Sequence, residues 1–528
     1  MRTRLSTVAM AVGLVLLAPP AATRAQRTGL TGAPALARIY DAVFDARFDQ
    51  VPALLSSTCG PRVARPGSGA AGIPPAEACQ VIELAALWWQ IQVDPASTAH
   101  DAEFTAKADA AIAAARAWAG REPDRAEAWF YLGGAYGARV QWRVLRGQRL
   151  AAARDGKNIK EALEQALRLD PAMQDAYFGI GLYHYYAAVA PAAARILRWL
   201  LFLPGGDRAQ GLREMLRARS GGQLLRSEAD YQLHVLYLWY EQQPERALAL
   251  VRSLRERHPR NPHFLQLDAE IQDVYLHDLV GSRRAWEALV DAARAGRVEL
   301  PAPALARGRV GLARQLDALH ETDAAVEQLR AAIGARPTSP FGVLAQAQVQ
   351  LGQALDRLGD RDEAIAAYRA AIDTSPLGDP LRTAAAARAG LRARPDAIAT
   401  RAYRLSIDGW RAFERGQYAD AARMLAQSLA LRPGDLVARY RLARVRLAQR
   451  DDAAALDALE HVVAAGTTDP PSFYAPACLD AARLYEGREM RERAIDLYRL
   501  AFDAFGVDVE SKEAARSALA RLGAAPMP

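Results

Sequence analysis

The feature that most constrains the fold of this chain is an internal repeat in its C-terminal half. Five alanines recur at spacings of 39, 57, 34 and 39 residues, and a leucine or tyrosine follows each of them four residues later. The alanines are Ala325, Ala364, Ala421, Ala455 and Ala494. Three units end in a proline, at Pro337, Pro376 and Pro433. Residues four apart share one face of an α-helix, so the pattern predicts helices that pack in a repeated way.

The best-formed unit shows which repeat this is. Leu351-Gly352 on a first helix is followed by Ala364, Tyr368 and Pro376 on a second. The pattern resembles the tetratricopeptide repeat (TPR), a 34-residue helix–turn–helix unit. The resemblance implies an all-α fold, a right-handed superhelix of antiparallel helix pairs. We expect divergent helical repeats over residues 26–225, a middle array over 226–400 and a C-terminal array over 401–528.

Composition supports a helical protein and weakens the case for a nucleic-acid ligand. Aromatic residues make up 7% of the chain, and 63 arginines and only four lysines against 60 acidic residues give a net charge of +7. Such an arginine excess in an alanine-rich chain is typical of GC-rich coding sequence rather than of a basic binding surface. The basic residues also form no platform interleaved with aromatic residues. We therefore expect no nucleic-acid partner.

The first 25 residues have the organisation of a secretory signal peptide. Arg2 and Arg4 precede an apolar run from Val8 to Ala18, and small residues follow as far as Ala25. The run is shorter than the ~20 residues that span a bilayer. We expect cleavage after Ala25 and export to the periplasm as a soluble protein, the alternative being an uncleaved anchor. Cleavage removes three arginines and lowers the net charge to +4.

Two cysteines gain significance from the predicted export. Cys59 and Cys79 flank a loop, residues 60–78, that is rich in proline, glycine and alanine and has no helical period. Exported proteins meet an oxidising environment in which disulfides persist. We expect a disulfide between Cys59 and Cys79, and the alternative is two independent thiols.

Residues 178–216 depart from an ordinary repeat. A glycine-spaced helix precedes Pro191, an apolar stretch and a Gly-Asp-Arg turn. This segment resembles the inclusion-body-clearance family of TPR proteins, which implies a TPR body with a modified apolar core and is associated with lipid droplets and organelle surfaces. Between residues 139 and 226, basic residues exceed acidic ones by eight. A surface for anionic lipid or an acidic partner would comprise Arg195, Arg198, Trp199, Phe202 and Arg208. The alternative is a solvated arginine face beside a buried helix.

Motifs of catalysis are missing from the sequence. It has no phosphate-binding loop, dinucleotide-binding turn, His-Glu-x-x-His motif or Gly-x-Ser-x-Gly elbow. The eight histidines are scattered, and His184 and His234, each among tyrosines, are expected to be packing residues rather than metal ligands. We expect a non-catalytic protein with no cofactor and no metal.

The resemblance to TPR proteins also implies where a partner would bind. In that family the inner wall of the curved stack is lined by positions 2, 5, 9 and 12 of each first helix. Carried onto this sequence, these positions are Arg307, Arg314, Asp317, Gln346, Gln353, Asp356, Tyr403, Ser406, Trp410, Phe413, Tyr440 and Arg444. Long polar side chains around a central tryptophan suit an extended peptide. Alternatively, Trp410 and Phe413 pack against a neighbouring helix.

Together these features predict an exported, non-catalytic scaffold that binds protein or peptide partners through a concave groove. The alternative is an envelope or lipid-surface factor that acts through the basic, apolar segment 190–216 and makes peripheral contact with anionic membrane.

Overall fold

The computed structural model describes residues 29–59, 72–189 and 205–525. The predicted signal peptide (1–25) and residues 60–71 of the predicted loop lie outside these ranges. So do four residues of the proposed lipid surface, Arg195, Arg198, Trp199 and Phe202.

Within the described ranges the chain is all-α, as the repeat pattern predicts: it forms 24 α-helices and one short 3-10 helix, and no strand. The α-helices are α1 (Ala33–Phe44), α2 (Val51–Cys59), α3 (Ala76–Val93), α4 (Asp101–Arg121), α5 (Ala126–Leu145), α6 (Arg149–Leu169), α7 (Ala176–Val189), α8 (Arg208–Gly221), α9 (Arg226–Trp239), α10 (Pro244–Arg257), α11 (Pro262–Val274), α12 (Leu279–Arg294), α13 (Pro301–Ala318), α14 (Thr322–Gly334), α15 (Val343–Leu358), α16 (Arg361–Thr374), α17 (Thr383–Arg392), α18 (Ala397–Glu414), α19 (Tyr418–Leu431), α20 (Leu436–Ala448), α21 (Asp452–Ala464), α22 (Tyr474–Gly487), α23 (Arg491–Phe502) and α24 (Val509–Arg521). The 3-10 helix spans Pro471–Phe473.

Each helix packs mainly against its neighbours in sequence, which makes the chain a solenoid of helix pairs. The repeat pattern shows why the pairs pack closely. A Cβ atom added to Gly352 on α15 would lie 2.5 Å from the ring of Tyr368 on α16, and one on Gly311 of α13 would overlap the ring of Trp286 on α12. The glycine on one helix therefore makes room for the aromatic ring of the helix it faces.

Several helices begin where an aspartate side chain accepts a backbone N–H of the first turn. The Asp396 carboxylate accepts from the amides of Ile398 and Ala399 at the start of α18. Other aspartates accept in the same way at Asp207, Asp278, Asp435, Asp451 and Asp508. Such caps satisfy amides that have no partner within the helix, and so fix where each helix starts.

Most of the N-terminal helices share one hydrophobic core that extends from Ala33 to Ile271, and a smaller core around Tyr185, Met215 and Leu233 adjoins it. The rings of Phe44 and Trp89 have centroids 4.4 Å apart, and those of Trp89 and Tyr231 are 4.7 Å apart. The Asn261 side chain donates a buried 2.7 Å hydrogen bond to the carbonyl of Phe44, 217 residues away in sequence. Helices α1 and α3 thus pack against α9 and α11, so the first helices are covered by later ones.

Contacts also join distant parts of the solenoid further along the chain. The amide of Phe341 donates to the Asp94 carboxylate at 2.8 Å, and Arg441 donates to the carbonyl of His320 at 3.0 Å. The rings of His277 and Phe505 have centroids 4.6 Å apart. These contacts show that the solenoid is wound tightly enough for non-neighbouring pairs to touch.

A disulfide joins Cys59, at the end of α2, to Cys79 on α3, with Cα atoms 6.3 Å apart. It links the first helices to the one that carries Trp88 and Trp89. Of the helices in the described ranges, none combines the length and the apolar character needed to cross a bilayer.

Candidate functional site

A pocket of about 200 Å³ lies in the C-terminal half, where several parts of the chain approach one another. Its residues come from α12, from the segment between α13 and α14, from α18 and α20, and from the 3-10 helix and the start of α22. We call it the arginine pocket. It is lined by Val280, Arg283, Leu319, Glu321, Trp410, Tyr440, Arg441, Arg444, Ser472, Phe473 and Pro476.

Three aromatic side chains form much of the wall of the arginine pocket. The Trp410 ring stacks on Phe413 with centroids 4.7 Å apart, and the Tyr440 and Phe473 rings meet edge to face at 6.0 Å. Stacked and edge-to-face rings hold each other in defined positions. The wall is therefore a fixed, largely apolar surface interrupted by arginines.

Arg441 is the most unusual residue of the arginine pocket, because it is a charged side chain that is only 2% exposed. Its guanidinium donates to the Ser406 hydroxyl at 3.1 Å and to the His320 carbonyl at 3.0 Å, and it lies 5.6 Å from the centre of the Trp410 ring. Burial lowers its pKa to about 10. At neutral pH this side chain remains a cation inside the protein.

The other charged residues of the pocket are partly exposed and are paired. Arg283 donates to Glu321 at 2.9 Å, and burial raises the pKa of that carboxyl. Arg444 donates to the Tyr440 hydroxyl at 3.1 Å and lies 3.7 Å from Asp480. The lining residues thus comprise three arginines and one carboxylate, which gives the arginine pocket an excess of positive charge.

The structure brings together half of the twelve residues that the sequence predicts to line a groove. Trp410, Tyr440 and Arg444 line the arginine pocket, and Phe413 stacks behind Trp410. Ser406 lies directly behind the pocket lining, since its hydroxyl accepts a hydrogen bond from Arg441. Tyr403 lies nearby: its hydroxyl is 2.6 Å from that of Thr322 and its ring is 5.0 Å from His320.

The remaining six groove residues lie elsewhere on α13 and α15. Arg307 lines a separate cavity of about 20 Å³, and burial lowers its pKa. Arg314 pairs with Asp273 at 2.9 Å. The carboxylates at 317 and 356 are also held by arginines of the chain, Asp317 by Arg357 at 3.1 Å and Asp356 by Arg361 at 2.8 Å. Gln346 is half-buried and Gln353 is exposed.

One residue of the proposed lipid surface falls within the described ranges. Arg208 pairs with Glu241 at 2.6 Å, and Glu241 also accepts from the Tyr185 hydroxyl. The nearby His184 lies 2.7 Å from Glu214. His234 is buried beside the ring of Tyr231, 4.7 Å from it, and burial lowers its pKa to about 3. No group of three or more side chains suited to a metal occurs among the described residues.

Sequence reasoning does not find Arg283, Glu321, Arg441 and Phe473 as site residues. Arg441 directly follows the predicted Tyr440 on α20, and a charged residue on the buried face of a repeat helix is a signal that could have singled it out. The other three lie outside first-helix positions of their own repeats. They reach the pocket because distant parts of the solenoid touch.

Comparison with known proteins identifies the repeats. Models of the tetratricopeptide repeat match residues 345–376 and 412–475. Among curated proteins, no sequence matches.

Similar solved structures share little sequence with this chain. The TPR2AB domain of yeast Sti1 in a pHSP90 complex is 11% identical over 56% of this chain and 92% of that one, with a TM-score of 0.22. A tetratricopeptide repeat protein from Parabacteroides merdae is 15% identical over 56% and 98%, with a TM-score of 0.23. The Cut9–Hcn1 assembly of the APC/C is 14% identical over 93% and 97%, also with a TM-score of 0.23. TM-scores this low do not establish a shared overall shape.

Proposed function

We propose that this chain is an exported, non-catalytic scaffold that captures protein or peptide partners on the inner face of its C-terminal half. It is a tetratricopeptide-repeat protein, and such repeats serve as protein-interaction scaffolds. The observation that carries this proposal is the arginine pocket. There Trp410 and Arg444, on first helices of two neighbouring repeats, face one opening. Aromatic and arginine side chains dominate the binding energy of many protein interfaces.

The two halves of the solenoid differ in how their buried residues cluster. In the N-terminal half, α1 and α3 pack against α9 and α11 and belong to a single core. In the C-terminal half the helix pairs form separate cores, and the arginine pocket lies between them. This arrangement favours residues 279–476 as the surface that a partner meets.

Export is supported by the signal-like N-terminus and by the disulfide. A Cys59–Cys79 bridge persists in an oxidising compartment, and reducing conditions in the cytosol would open it. N-terminal sequencing of the protein from periplasmic extracts is expected to begin at Gln26. Recovery of the protein only from the cytosol, with Met1 retained, would contradict export.

Partner capture tests the groove. Replacing Arg314, Trp410 and Arg444 together by alanine is expected to abolish the capture of crosslinked partners from intact cells, as measured by mass spectrometry. These side chains are partly exposed, so the helical circular dichroism signal should stay unchanged. A matched control replaces two exposed arginines on second helices and an exposed tryptophan outside the groove, and its residues are Arg369, Arg423 and Trp239. Equal loss of partners in both triple variants would refute the groove as the binding surface.

A further inference from the structure

We propose that the arginine pocket binds a small organic anion, a carboxylate attached to a planar apolar group. The proposal concerns the chemistry of the pocket itself, and it goes beyond the capture of protein partners. Three observations carry it: an unneutralised buried charge, three buried donors without acceptors, and aromatic walls around a pocket of suitable size.

The first observation is that the charge of Arg441 is not neutralised by the protein around it. Among the described residues no carboxylate lies within 4.0 Å of its guanidinium, which contacts a carbonyl, a hydroxyl and an aromatic ring. The carboxyls that act on it from further away belong to Asp435, Glu321 and Glu414, and Glu321 is itself held by Arg283. Buried charges in proteins are generally paired, since desolvation of a lone ion is costly. A ligand anion would supply the missing charge.

The second observation is that three buried polar groups of the pocket lining have no hydrogen-bond partner among the described residues. They are the Nε atoms of Arg283 and Arg441 and the hydroxyl of Ser472. Arg441 and Ser472 are buried, at 2% and 8% exposure. An unsatisfied buried donor costs about 1–3 kcal/mol. A carboxylate has two oxygens that can accept several such bonds.

The third observation is the shape and lining of the arginine pocket. Its volume of about 200 Å³ exceeds that of one bound ion, because a water molecule takes up only ~30 Å³ in the liquid. Trp410, Tyr440 and Phe473 present ring surfaces to this space. Flat apolar groups pack favourably against aromatic rings. Arg444, whose side chain is 41% exposed, adds a second positive charge next to the rings.

The test is isothermal titration calorimetry of the purified protein with two aromatic carboxylates, 4-hydroxybenzoate and indole-3-acetate. The corresponding uncharged amides are titrated as controls. We expect the carboxylates to bind and the amides to bind at least tenfold more weakly, because a charged partner strengthens each hydrogen bond. Arg444→Gln should weaken carboxylate binding about tenfold, the effect of losing one charge-assisted contact. Arg446→Gln, on the same helix but outside the pocket, is the matched control and should bind as the unmodified protein does.

Arg441→Met is expected to abolish binding, provided that its circular dichroism spectrum matches that of the unmodified protein. If this variant does not fold, Arg444→Gln and Trp410→Phe decide the question. Carboxylates should quench part of the tryptophan fluorescence, and Trp410→Phe should remove that part.

Three results would overturn the proposal: amides that bind as tightly as carboxylates, carboxylate binding that Arg444→Gln leaves unchanged, or binding of acidic peptides without any binding of the free carboxylates. Partner capture from cells is measured separately. Loss of the anion site therefore leaves the proposed scaffold function standing, and failure of partner capture leaves the titration result standing.

Discussion

The carboxyl group of Glu228 offers the sharpest test of the N-terminal core. The side chain is 3% exposed and accepts a 2.9 Å hydrogen bond from the indole of Trp89, which links α9 to α3. Burial raises its pKa to about 7, and hydrogen bonds from Trp89, Gln232 and Tyr40 oppose that rise only in part. In the folded protein this carboxyl therefore loses its proton only near neutral pH. In the unfolded chain the same carboxyl loses its proton at lower pH.

The magnitude follows from the difference between the two pKa values. A shift from 4.5 to about 7 corresponds to roughly 3 kcal/mol, since one pKa unit is worth about 1.4 kcal/mol. Because the pKa of Glu228 is higher in the folded protein than in the unfolded chain, the protonated carboxyl stabilises the fold by this amount below pH 4.5. That stabilisation is lost as the pH rises through 7. The side chain introduced by Glu228→Gln has no ionisable proton. The stability of this variant relative to the unmodified protein should therefore be greater at high pH than at low pH. We expect that difference to grow by about 2–3 kcal/mol between pH 5 and pH 8.

The assay is urea unfolding of both proteins at pH 5, 6, 7 and 8, followed by circular dichroism. The buried histidines, His234 among them, are common to both proteins, so their titration cancels in the difference. Glu245→Gln on the neighbouring helix α10 is the control, because that side chain is exposed. A Glu228→Gln difference that stays constant from pH 5 to pH 8 would refute the reasoning, whatever its size.

Two further predictions concern packing and covalent structure. Gly352→Ala should lower the free energy of unfolding by about 1–3 kcal/mol, because the added Cβ would overlap the Tyr368 ring. The control is Gly137→Ala, whose Cβ would meet no atom within 4 Å and which should be neutral or stabilising by up to about 1 kcal/mol. Equal effects of the two substitutions in urea melts would contradict the close-packing argument. Replacing Cys59 and Cys79 by serine should cost about 3 kcal/mol in the same melts, as expected for a bridge across 20 residues, and an unchanged midpoint would show that the bridge does not constrain the unfolded chain.

The sequence predicts the repeat architecture because the relevant information is local. The spacing of Ala364, Tyr368 and Pro376 places an alanine and an aromatic ring on one face of a helix and ends that helix, and the structure has α16 there. The small residue opposite, Gly352, is likewise visible in the sequence, and it packs against Tyr368. The family comparison matches this same unit, at residues 345–376.

The arginine pocket could be predicted only in part, since it depends on how tightly the solenoid is wound. Trp410, Tyr440 and Arg444 follow from positions within single repeats. Arg283 and Phe473 do not, because they lie far apart in the sequence and meet only when distant repeats touch. That winding is the sum of small rotations between successive pairs, and no single spacing in the sequence encodes it.

The packing of α3 against α9 has a consequence for the order in which the chain is made. The indole of Trp89 finds its acceptor, Glu228, 139 residues later in the sequence. At ~5–20 residues per second, synthesis of that interval takes roughly 7–30 s. During this time Trp89 and Phe44 have no complete core to enter, so the N-terminal half cannot reach its final form while it is emerging. Folding of this half is therefore complete only after the second third of the chain has been synthesised. During that interval the apolar side chains of its early helices lack their final packing partners.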